Sequence, residues 1–281
     1  MTIRIVTDST CDLPREVIEE HGIKVVPVYI HINGKNYLDE IDISRHEYYE
    51  RLPSIHPPAT TAIPSIEVFQ KTYESLVEEG ATEILSIHIS HKLSGMVNVA
   101  ESAAKEITAV RVTSFDSRQL SMGTGFEVLE AARAAKAGKT MKEILADLDR
   151  LIPHLHVFAA LDTLEYMRRS GRMNFAFSAI GTLLKVKPLL KMYDGEPTSE
   201  KVRTKQKALN RLKELIEKYS PYERVALLHS NAEAAARALL DEVKHLVPPG
   251  DVLIGELNPI IGTHLGPGVI GFCSISKNPG G

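Results

Sequence analysis

Strand-like apolar runs alternate with helical patterns through the first half of this sequence, and that alternation limits the possible folds more than any other feature. The strand-like runs occupy residues 3–6, 24–30, 84–89 and 110–115. Helical patterns separate most of them, and a long alanine-rich one ends near Gly138. Strands joined by helical crossovers run parallel in one sheet. The sequence therefore predicts an α/β fold whose first domain has a mainly parallel sheet, covered by helices on both faces.

Three polar segments come directly after predicted strands. They are Asp8-Ser9-Thr10, residues 90–95 and Asp116-Ser117. Ligands of open α/β sheets bind outside the carboxyl ends of the strands, so these segments are predicted to face one crevice. The middle segment leads into a helix at Ser94-Gly95, where first-turn amides without intrahelical partners favour a carboxylate or a phosphate. A Ser94 that only caps its helix is the alternative.

The second half of the chain is less regular and predicts a second α/β domain, with a mixed sheet and helices. Its strand-like runs occupy residues 157–161, 225–228 and 252–254. Asp194-Gly195 indicates a hairpin turn, as Asn33-Gly34 does in the first half. The change of pattern near residue 152 gives predicted domains of 1–152 and 153–281.

Two further segments of the second half carry distinctive residues. Residues 162–172 predict a short capped helix that ends in a basic turn. Residues 261–268 contain three glycines and are predicted to form a loop whose backbone approaches another group closely.

Composition and charge exclude several classes of function. The 281 residues suffice for roughly two domains, and a net charge of −3 without a long basic block gives no reason to expect nucleic acid. Cys11 and Cys273 lack metal-ligand spacing, so no metal and a reducing cytoplasm are expected. Phosphate-loop and dinucleotide signatures are absent from the sequence, and so are a bilayer-length apolar stretch and a signal-peptide pattern.

Acyl hydrolysis is one chemistry that the residue types allow. Ser94 would be the nucleophile and His264 the base, with Asp8 or Asp116 to orient the base. Ser94 lacks the G-x-S-x-G turn that holds such nucleophiles exposed, which disfavours a hydrolase.

A set of ordered motifs extends over nearly the whole chain. They are residues 8–14, Thr61 with Pro64-Ser65, residues 93–95, Asp116-Ser117, residues 164–172, Lys187-Pro188, residues 202–204 and residues 262–267. In these motifs the sequence resembles the DegV family of fatty-acid-binding proteins. The resemblance implies a long-chain fatty acid in a buried tunnel between two α/β domains. It also implies a non-catalytic carrier without a cofactor.

The resemblance further implies a partner for this carrier. The bound carboxylate would be presented to a separate ATP-dependent fatty acid kinase, which makes acyl phosphate for phospholipid metabolism. The protein is expected in the cytoplasm, with transient contact with a membrane surface possible. Two alternatives stay open: an acyl hydrolase that uses Ser94 and His264, and a regulatory interaction module with bound lipid.

Individual residue roles follow from matching positions in the motifs. By this resemblance, Thr61, Ser94 and the Gly95 amide would bind the carboxylate. The residues implied nearby are Thr263, His264 and Arg172, and Arg203 is implied in head-group presentation or kinase docking. The sequence departs from the family pattern at Ala62-Ile63 and at Met96-Val97.

An apolar stretch after Arg172 is a candidate wall for the acyl chain. Burial of a methylene contributes about 0.8 kcal/mol, so a sixteen-carbon tail offers on the order of 10 kcal/mol before ordering costs. An ordinary buried helix is the alternative reading of this stretch. The residues predicted to line the chain are Met173, Phe175, Phe177, Ile180, Leu183 and Leu184.

Overall fold

The computed structural model describes residues 2–173, 186–250 and 252–278. Its strands are β1 (Ile3–Asp8), β2 (Lys24–Val26), β3 (Tyr29–Ile32), β4 (Lys35–Leu38), β5 (Thr60–Ala62), β6 (Glu83–His88), β7 (Arg111–Asp116), β8 (Leu155–Ala160), β9 (Lys187–Tyr193), β10 (Glu196–Val202), β11 (Tyr222–His229), β12 (Leu253–Glu256) and β13 (Ile270–Ser276). Its α-helices are α1 (Arg15–His21), α2 (Arg45–Arg51), α3 (Ile66–Glu78), α4 (Met96–Glu106), α5 (Met122–Lys136), α6 (Met141–Leu151), α7 (Glu165–Arg169), α8 (Lys205–Lys218), α9 (Glu233–Val243) and α10 (Pro259–Leu265).

The chain divides into two compact units. Unit 1 comprises Met1–Val28 and Ala62–Ile152, and unit 2 comprises Tyr29–Thr61 and Pro153–Gly281. The sequence-based division differs at one place, because it assigned residues 29–61 to the first domain. In the structure α2 and β3 of this segment pack on α10, which is formed more than 200 residues later.

Unit 1 is built on a four-stranded parallel sheet in the order β2-β1-β6-β7. Helices α3 and α4 pack against each other, and α5 packs against β1, α1 and α6. Five of the six residues of β6 are buried, as expected for a strand covered on both faces. The predicted α/β fold with a mainly parallel sheet is confirmed. Because β2 and β6 flank β1 on opposite sides, the strand order reverses between β1 and β6, and this is the switch point where such sheets bind ligands.

Unit 2 contains a six-stranded mixed sheet in the order β10-β9-β8-β13-β11-β12. Only β11 and β12 pair in parallel among its described strands. A smaller sheet has the order β4-β3-β5. The core of the large sheet includes fully buried Phe272 and Leu227, against which α8 contributes Leu212.

Both predicted hairpin turns are present. Register pairs Ile32 with Lys35 and Tyr193 with Glu196, so each loop has two residues. Asn33 and Gly34 have φ of 49° and 79°, and Asp194 and Gly195 have φ of 46° and 79°. Positive φ at both central residues is the geometry that matches the twist of the flanking strands, and Asn-Gly and Asp-Gly adopt it readily.

Two predicted elements differ in the structure. The single strand predicted over residues 24–30 is two strands, β2 and β3, in different sheets. Pro27 separates them, because it cannot donate a ladder hydrogen bond. The loop predicted over residues 261–268 is mostly helix α10, which starts at Pro259 after an Asn258 cap.

Candidate functional site

The loop between β6 and α4 is organised around Ser90, which is buried. The Ser90 carbonyl accepts hydrogen bonds from the amides of Leu93 and Ser94, at 2.9 and 3.1 Å. Its Oγ accepts from the amide of Lys92 at 3.2 Å, and its own amide donates to the Gln119 carbonyl at 2.8 Å. The loop is therefore a rigid turn that fixes the approach to α4.

The start of α4 has the features of an anion site. The helix begins at Met96 with Gly95 as its cap residue, two residues later than the predicted start. Ser94 Oγ accepts from the Met96 amide at 3.3 Å, so the capping role of Ser94 is real. Its hydroxyl proton remains available to a ligand, and no described residue accepts from the Gly95 amide. Both residues are half-exposed, so this turn can donate to a carboxylate.

The two carboxylates considered for a hydrolytic site already have other partners. Asp8 lies 2.9 Å from His88 Nδ1 in the interior of unit 1. Asp116 forms a hydrogen bond with the ring of His91, and it accepts a hydrogen bond from the Arg118 amide at 3.0 Å. Both carboxylates are therefore engaged by partners within unit 1, which weakens the hydrolase alternative.

In unit 2, Thr61 and His264 form a hydroxyl–imidazole pair. Thr61 Oγ1 lies 3.1 Å from His264 Nε2, and the buried Nδ1 has no partner among the described residues. Burial, together with the charge of Arg172, lowers the pKa of His264 to about 4. The ring is therefore neutral near pH 7. If Thr61 donates to Nε2, the ring proton is on Nδ1, where it can be donated to a ligand.

Thr263 is adjacent to His264 in the sequence, but its hydroxyl already makes hydrogen bonds within unit 2. It donates to the Pro259 carbonyl at 2.7 Å and lies 2.5 Å from the Tyr48 hydroxyl. Tyr48 must be the donor to Thr263, and burial raises the pKa of its phenol. Thr263 can thus serve a ligand only as an acceptor, and its observed contacts hold α10 against α2.

Tyr48 and Tyr49 are residues that sequence analysis missed. Tyr49 donates to the Leu257 carbonyl at 3.0 Å, and its ring lies so close to Gly262 that a Cβ there would overlap it. Gly262 therefore permits α2 and α10 to approach, which explains one glycine of the predicted loop. Gly262 could be singled out in the sequence, but its contact with Tyr49 could not.

A small depression, with room for about one water molecule, lies beside α10 in unit 2. One wall is apolar and comes from Leu52, Ile55, Pro58 and Ala59. The other wall is formed by Tyr166, Arg169, Ser170 and Thr263. As lined by the described residues, this depression is too small to hold an acyl chain.

The remaining predicted residues are distributed as follows. Arg172 is half-buried and its guanidinium donates to the Ser170 carbonyl at 3.1 Å. Arg203 is exposed, between β10 and α8. Met173 is half-buried. The other predicted wall residues lie outside the described residues, namely Phe175, Phe177, Ile180, Leu183 and Leu184.

These features define a class of protein. A donor-rich turn at the switch point of one α/β unit, with a neutral imidazole in the second unit, is typical of a small-molecule-binding protein. Within the described ranges, no three His, Cys, Asp or Glu side chains are grouped to hold a metal ion. No helix among the described residues is long and apolar enough to cross a bilayer.

Comparison with known proteins identifies the family. The profile of the family described as "Uncharacterised protein, DegV family" matches residues 2–277, and the chain belongs to this family. A DegV domain-containing protein of Halalkalibacterium halodurans is 36% identical over 274 residues, which are 96% of this chain and 97% of that protein.

Solved structures of family members share the fold. A DegV family protein from Thermus thermophilus, described as fatty-acid-binding, is 36% identical and superimposes with a TM-score of 0.88 over 98% of this chain and 100% of its own. DegV from Bacillus subtilis, described as a fatty acid binding protein, is 31% identical, with a TM-score of 0.89 over 99% of this chain and 100% of its own.

Proposed function

We propose that this protein binds a long-chain fatty acid and presents its carboxylate to a separate ATP-dependent fatty acid kinase. Binding is supported by the relatives from Thermus thermophilus and Bacillus subtilis, which are described as fatty-acid-binding. Presentation to a kinase rests on the family resemblance alone. In this proposal the chain is a carrier, and the kinase carries out the phosphoryl transfer.

The observation that carries the proposal is the buried Nδ1 of His264, which has no partner among the described residues. A buried donor without a partner destabilises a fold unless a ligand or water satisfies it. Thr61 fixes the ring through Nε2, and the charge of Arg172 acts on the same imidazole. A carboxylate would accept from Nδ1–H and be attracted by the guanidinium, whereas an alcohol or ester would gain less.

The acyl chain supplies most of the affinity in this proposal. Burial of sixteen carbons offers on the order of 10 kcal/mol before ordering costs, so a few head-group donors suffice to orient the acid. The predicted wall formed by residues 173–184 remains part of the proposal.

Two sets of donors are candidates for the carboxylate. Thr61 and His264 form one set, in unit 2, and Ser94 with the Gly95 amide forms the other, in unit 1. Their shared property is a proton donor with no acceptor among the described residues. A variant of each set measures how much that set contributes to ligand binding.

The test begins with lipid extraction from the purified protein and mass spectrometry, followed by titration of the delipidated protein with palmitate. Thr61→Val keeps the shape of the side chain and removes the hydroxyl, and Thr61→Ser keeps the hydroxyl. We expect Thr61→Val and Ser94→Ala each to weaken palmitate binding roughly tenfold. Thr61→Val removes the hydroxyl that fixes the His264 ring, and Ser94→Ala removes a hydrogen bond to the carboxylate, a kind of bond that contributes about 1.5–3 kcal/mol. Thr61→Ser should bind within about threefold of wild type. Delipidated protein that does not bind palmitate would refute the proposal.

Kinase presentation needs a separate measurement. With wild-type carrier, a fatty acid kinase and ATP should yield acyl phosphate from the bound acid. Arg203→Ala should reduce this yield, and Lys201→Ala, at a neighbouring exposed cation, is the matched control. Ester turnover by the carrier alone that is lost in Ser94→Ala would favour the hydrolase instead. A stable partner protein other than a kinase would favour a regulatory module.

A further inference from the structure

A buried Ser–His–Asp arrangement lies inside unit 1. Ser86 Oγ and His88 Nε2 are 2.7 Å apart, and His88 Nδ1 and Asp8 Oδ2 are 2.9 Å apart. These distances are those of a nucleophile, its base and an orienting acid. All three side chains are fully buried, however, so a substrate cannot reach the serine. The arrangement must have another role.

The hydrogen bonds of this arrangement run in one direction. Tyr73 donates to Ser86 Oγ at 2.9 Å, which leaves the Ser86 proton for His88 Nε2. Nδ1 of His88 then carries a ring proton that points to Asp8. Burial alone would raise the pKa of Asp8, but the hydrogen bond and charge of His88, with the donors of Thr10, outweigh it and lower that pKa. Asp8 is therefore an ionised acceptor.

Asp8 joins the two loops that meet at the switch point of the sheet. Its Oδ1 accepts from the amide of Thr10 at 3.0 Å, in the loop after β1. Its Oδ2 accepts from His88 and from the amide of Ile89 at 3.4 Å, where the loop after β6 begins. One carboxylate thus fixes the beginnings of both loops.

The loop after β6 transmits this constraint to α4. Ile89 is followed directly by Ser90, whose carbonyl accepts from the amides of Leu93 and Ser94. Ile89 is therefore connected to Ser94 by one peptide bond and one hydrogen bond. A displacement at Ile89 changes the position of the Ser94 hydroxyl and of the Gly95 amide that follows it.

We propose that Asp8 and His88 are positioning residues for the turn formed by Ser94 and Gly95. Their hydrogen bond holds Ile89 and Ser90 in the place that aims these donors at an anionic head group. The identity of that head group as a fatty acid carboxylate rests on the proposed function. The effect of the Asp8–His88 bond on the turn does not, and can be measured without ligand.

Two substitutions at one position separate this role from general stability. In His88→Asn the side-chain amide nitrogen lies near the place of Nδ1, so the bond to Asp8 can be kept. In His88→Gln the amide lies near the place of Nε2, so the bond to Ser86 can be kept and that to Asp8 is lost. Both variants lose the imidazole. We expect His88→Asn to bind palmitate within about threefold of wild type and His88→Gln to bind roughly tenfold more weakly.

Amide hydrogen exchange of the ligand-free full chain gives the independent measurement. The amides of Leu93 and Ser94 should exchange at least about tenfold faster in His88→Gln than in His88→Asn. Ile144→Val, which removes one methyl group from the buried face of α6, is the control for general destabilisation and should not single out this loop. Equal loop exchange in the two His88 variants would overturn the inference.

The two proposals fail in different ways. If wild-type protein does not bind palmitate but the His88 variants differ in loop exchange, the positioning role stands and the proposed function fails. If both variants bind palmitate equally well and exchange equally, the positioning role fails and the proposed function stands. Should neither variant fold, Asp8→Asn gives the same test, with faster loop exchange expected and a wild-type rate contradicting the inference.

Discussion

Buried histidines in the two units differ in how many partners their ring nitrogens have. His88 in unit 1 has a partner on both nitrogens, whereas His264 in unit 2 has one and His156 in unit 2 has none among the described residues. A buried polar atom without a partner lowers stability. The three rings therefore differ in how many of their nitrogens have a hydrogen-bond partner. The difference separates a structural support from a binding group.

The surroundings of the two unit 2 histidines tell them apart. His156 is stacked on Tyr193, with ring centroids 5.1 Å apart and planes 3° apart, and lies near Phe158 and Tyr219. His264 instead has a hydroxyl partner and a nearby guanidinium charge. An unsatisfied nitrogen therefore indicates a ligand only where a polar partner on the other ring nitrogen orients the imidazole.

The greatest loss of stability is expected at Asp8, the partner of the fully hydrogen-bonded His88. Asp8→Ala removes the acceptor of His88, Thr10 and Ile89 at once and leaves their buried donors unpaired. We expect a loss of about 3–5 kcal/mol in the free energy of unfolding, measured by urea denaturation. A loss below about 1 kcal/mol would show that the hydrogen bonds of Asp8 do not support unit 1.

The next largest effect is the response of unit 2 to acid. Burial, then the charges of His154 and Lys218, lower the pKa of His156 to about 4, from an ordinary value of 6.5. Between these values the unfolded chain binds a proton that the folded chain does not, so stability falls as the pH falls from 6.5 towards 4. The full loss is about 3 kcal/mol for this group.

His156→Leu removes the titrating group and is the control for that acid response. Its unfolding free energy should decline less between pH 6.5 and 4 than that of wild type, by urea denaturation at each pH. An unchanged decline would assign the acid response to other groups, such as His264.

Glu127 is an unsatisfied buried group in unit 1, so unit 1 does not consist of satisfied groups alone. This side chain of α5 is fully buried, and neither carboxyl oxygen has a described partner. Burial, followed by the negative charge of Asp116, raises its pKa well above the ordinary value. Stability from the protonated form is lost as the pH rises through that raised pKa.

Glu127→Gln tests this point with a neutral side chain of the same shape. The variant should be more stable than wild type by about 1–2 kcal/mol at a pH above the raised pKa, and the gain should shrink at lower pH. Urea denaturation at a series of pH values from 4.5 upward measures it. A constant difference across this range would mean that Glu127 does not titrate there.

The smallest change in stability is expected at His156, whose ring nitrogens have no partner among the described residues. His156→Phe fills the same aromatic space without polar nitrogens, so it should stabilise the protein by about 1 kcal/mol at pH 7. A thermal or urea midpoint raised in this variant would confirm that the His156 nitrogens are unsatisfied. A lowered midpoint would mean that the ring nitrogens make a favourable contact with water.

Local chemistry explains which parts of this fold could be predicted. The turns at Asn33-Gly34 and Asp194-Gly195 were predictable because two residues determine their geometry. The parallel sheet of unit 1 was predictable because strand–helix alternation leaves few other topologies. The break at Pro27 was also visible in the sequence, and the predicted single strand over residues 24–30 overlooked it.

Contacts between residues far apart in the sequence explain which parts of the fold and of the site could not be predicted. Asp8 and His88 are 80 residues apart and meet only because β1 and β6 are neighbours in the sheet. The Thr61–His264 pair spans 203 residues and was expected only through the family resemblance. The assignment of residues 29–61 to unit 2 depends on packing against α10, which periodicity does not report.

The most direct test of the central claim is nitrogen-15 NMR of the His264 imidazole, with and without bound palmitate. If the carboxylate accepts from Nδ1–H, the Nδ1 resonance should shift on addition of palmitate, and palmitate methyl ester should shift it much less. The neutral ring of the free protein, with its pKa of about 4, provides the reference state at pH 7. Tight palmitate binding that leaves both ring resonances of His264 unchanged would contradict the account.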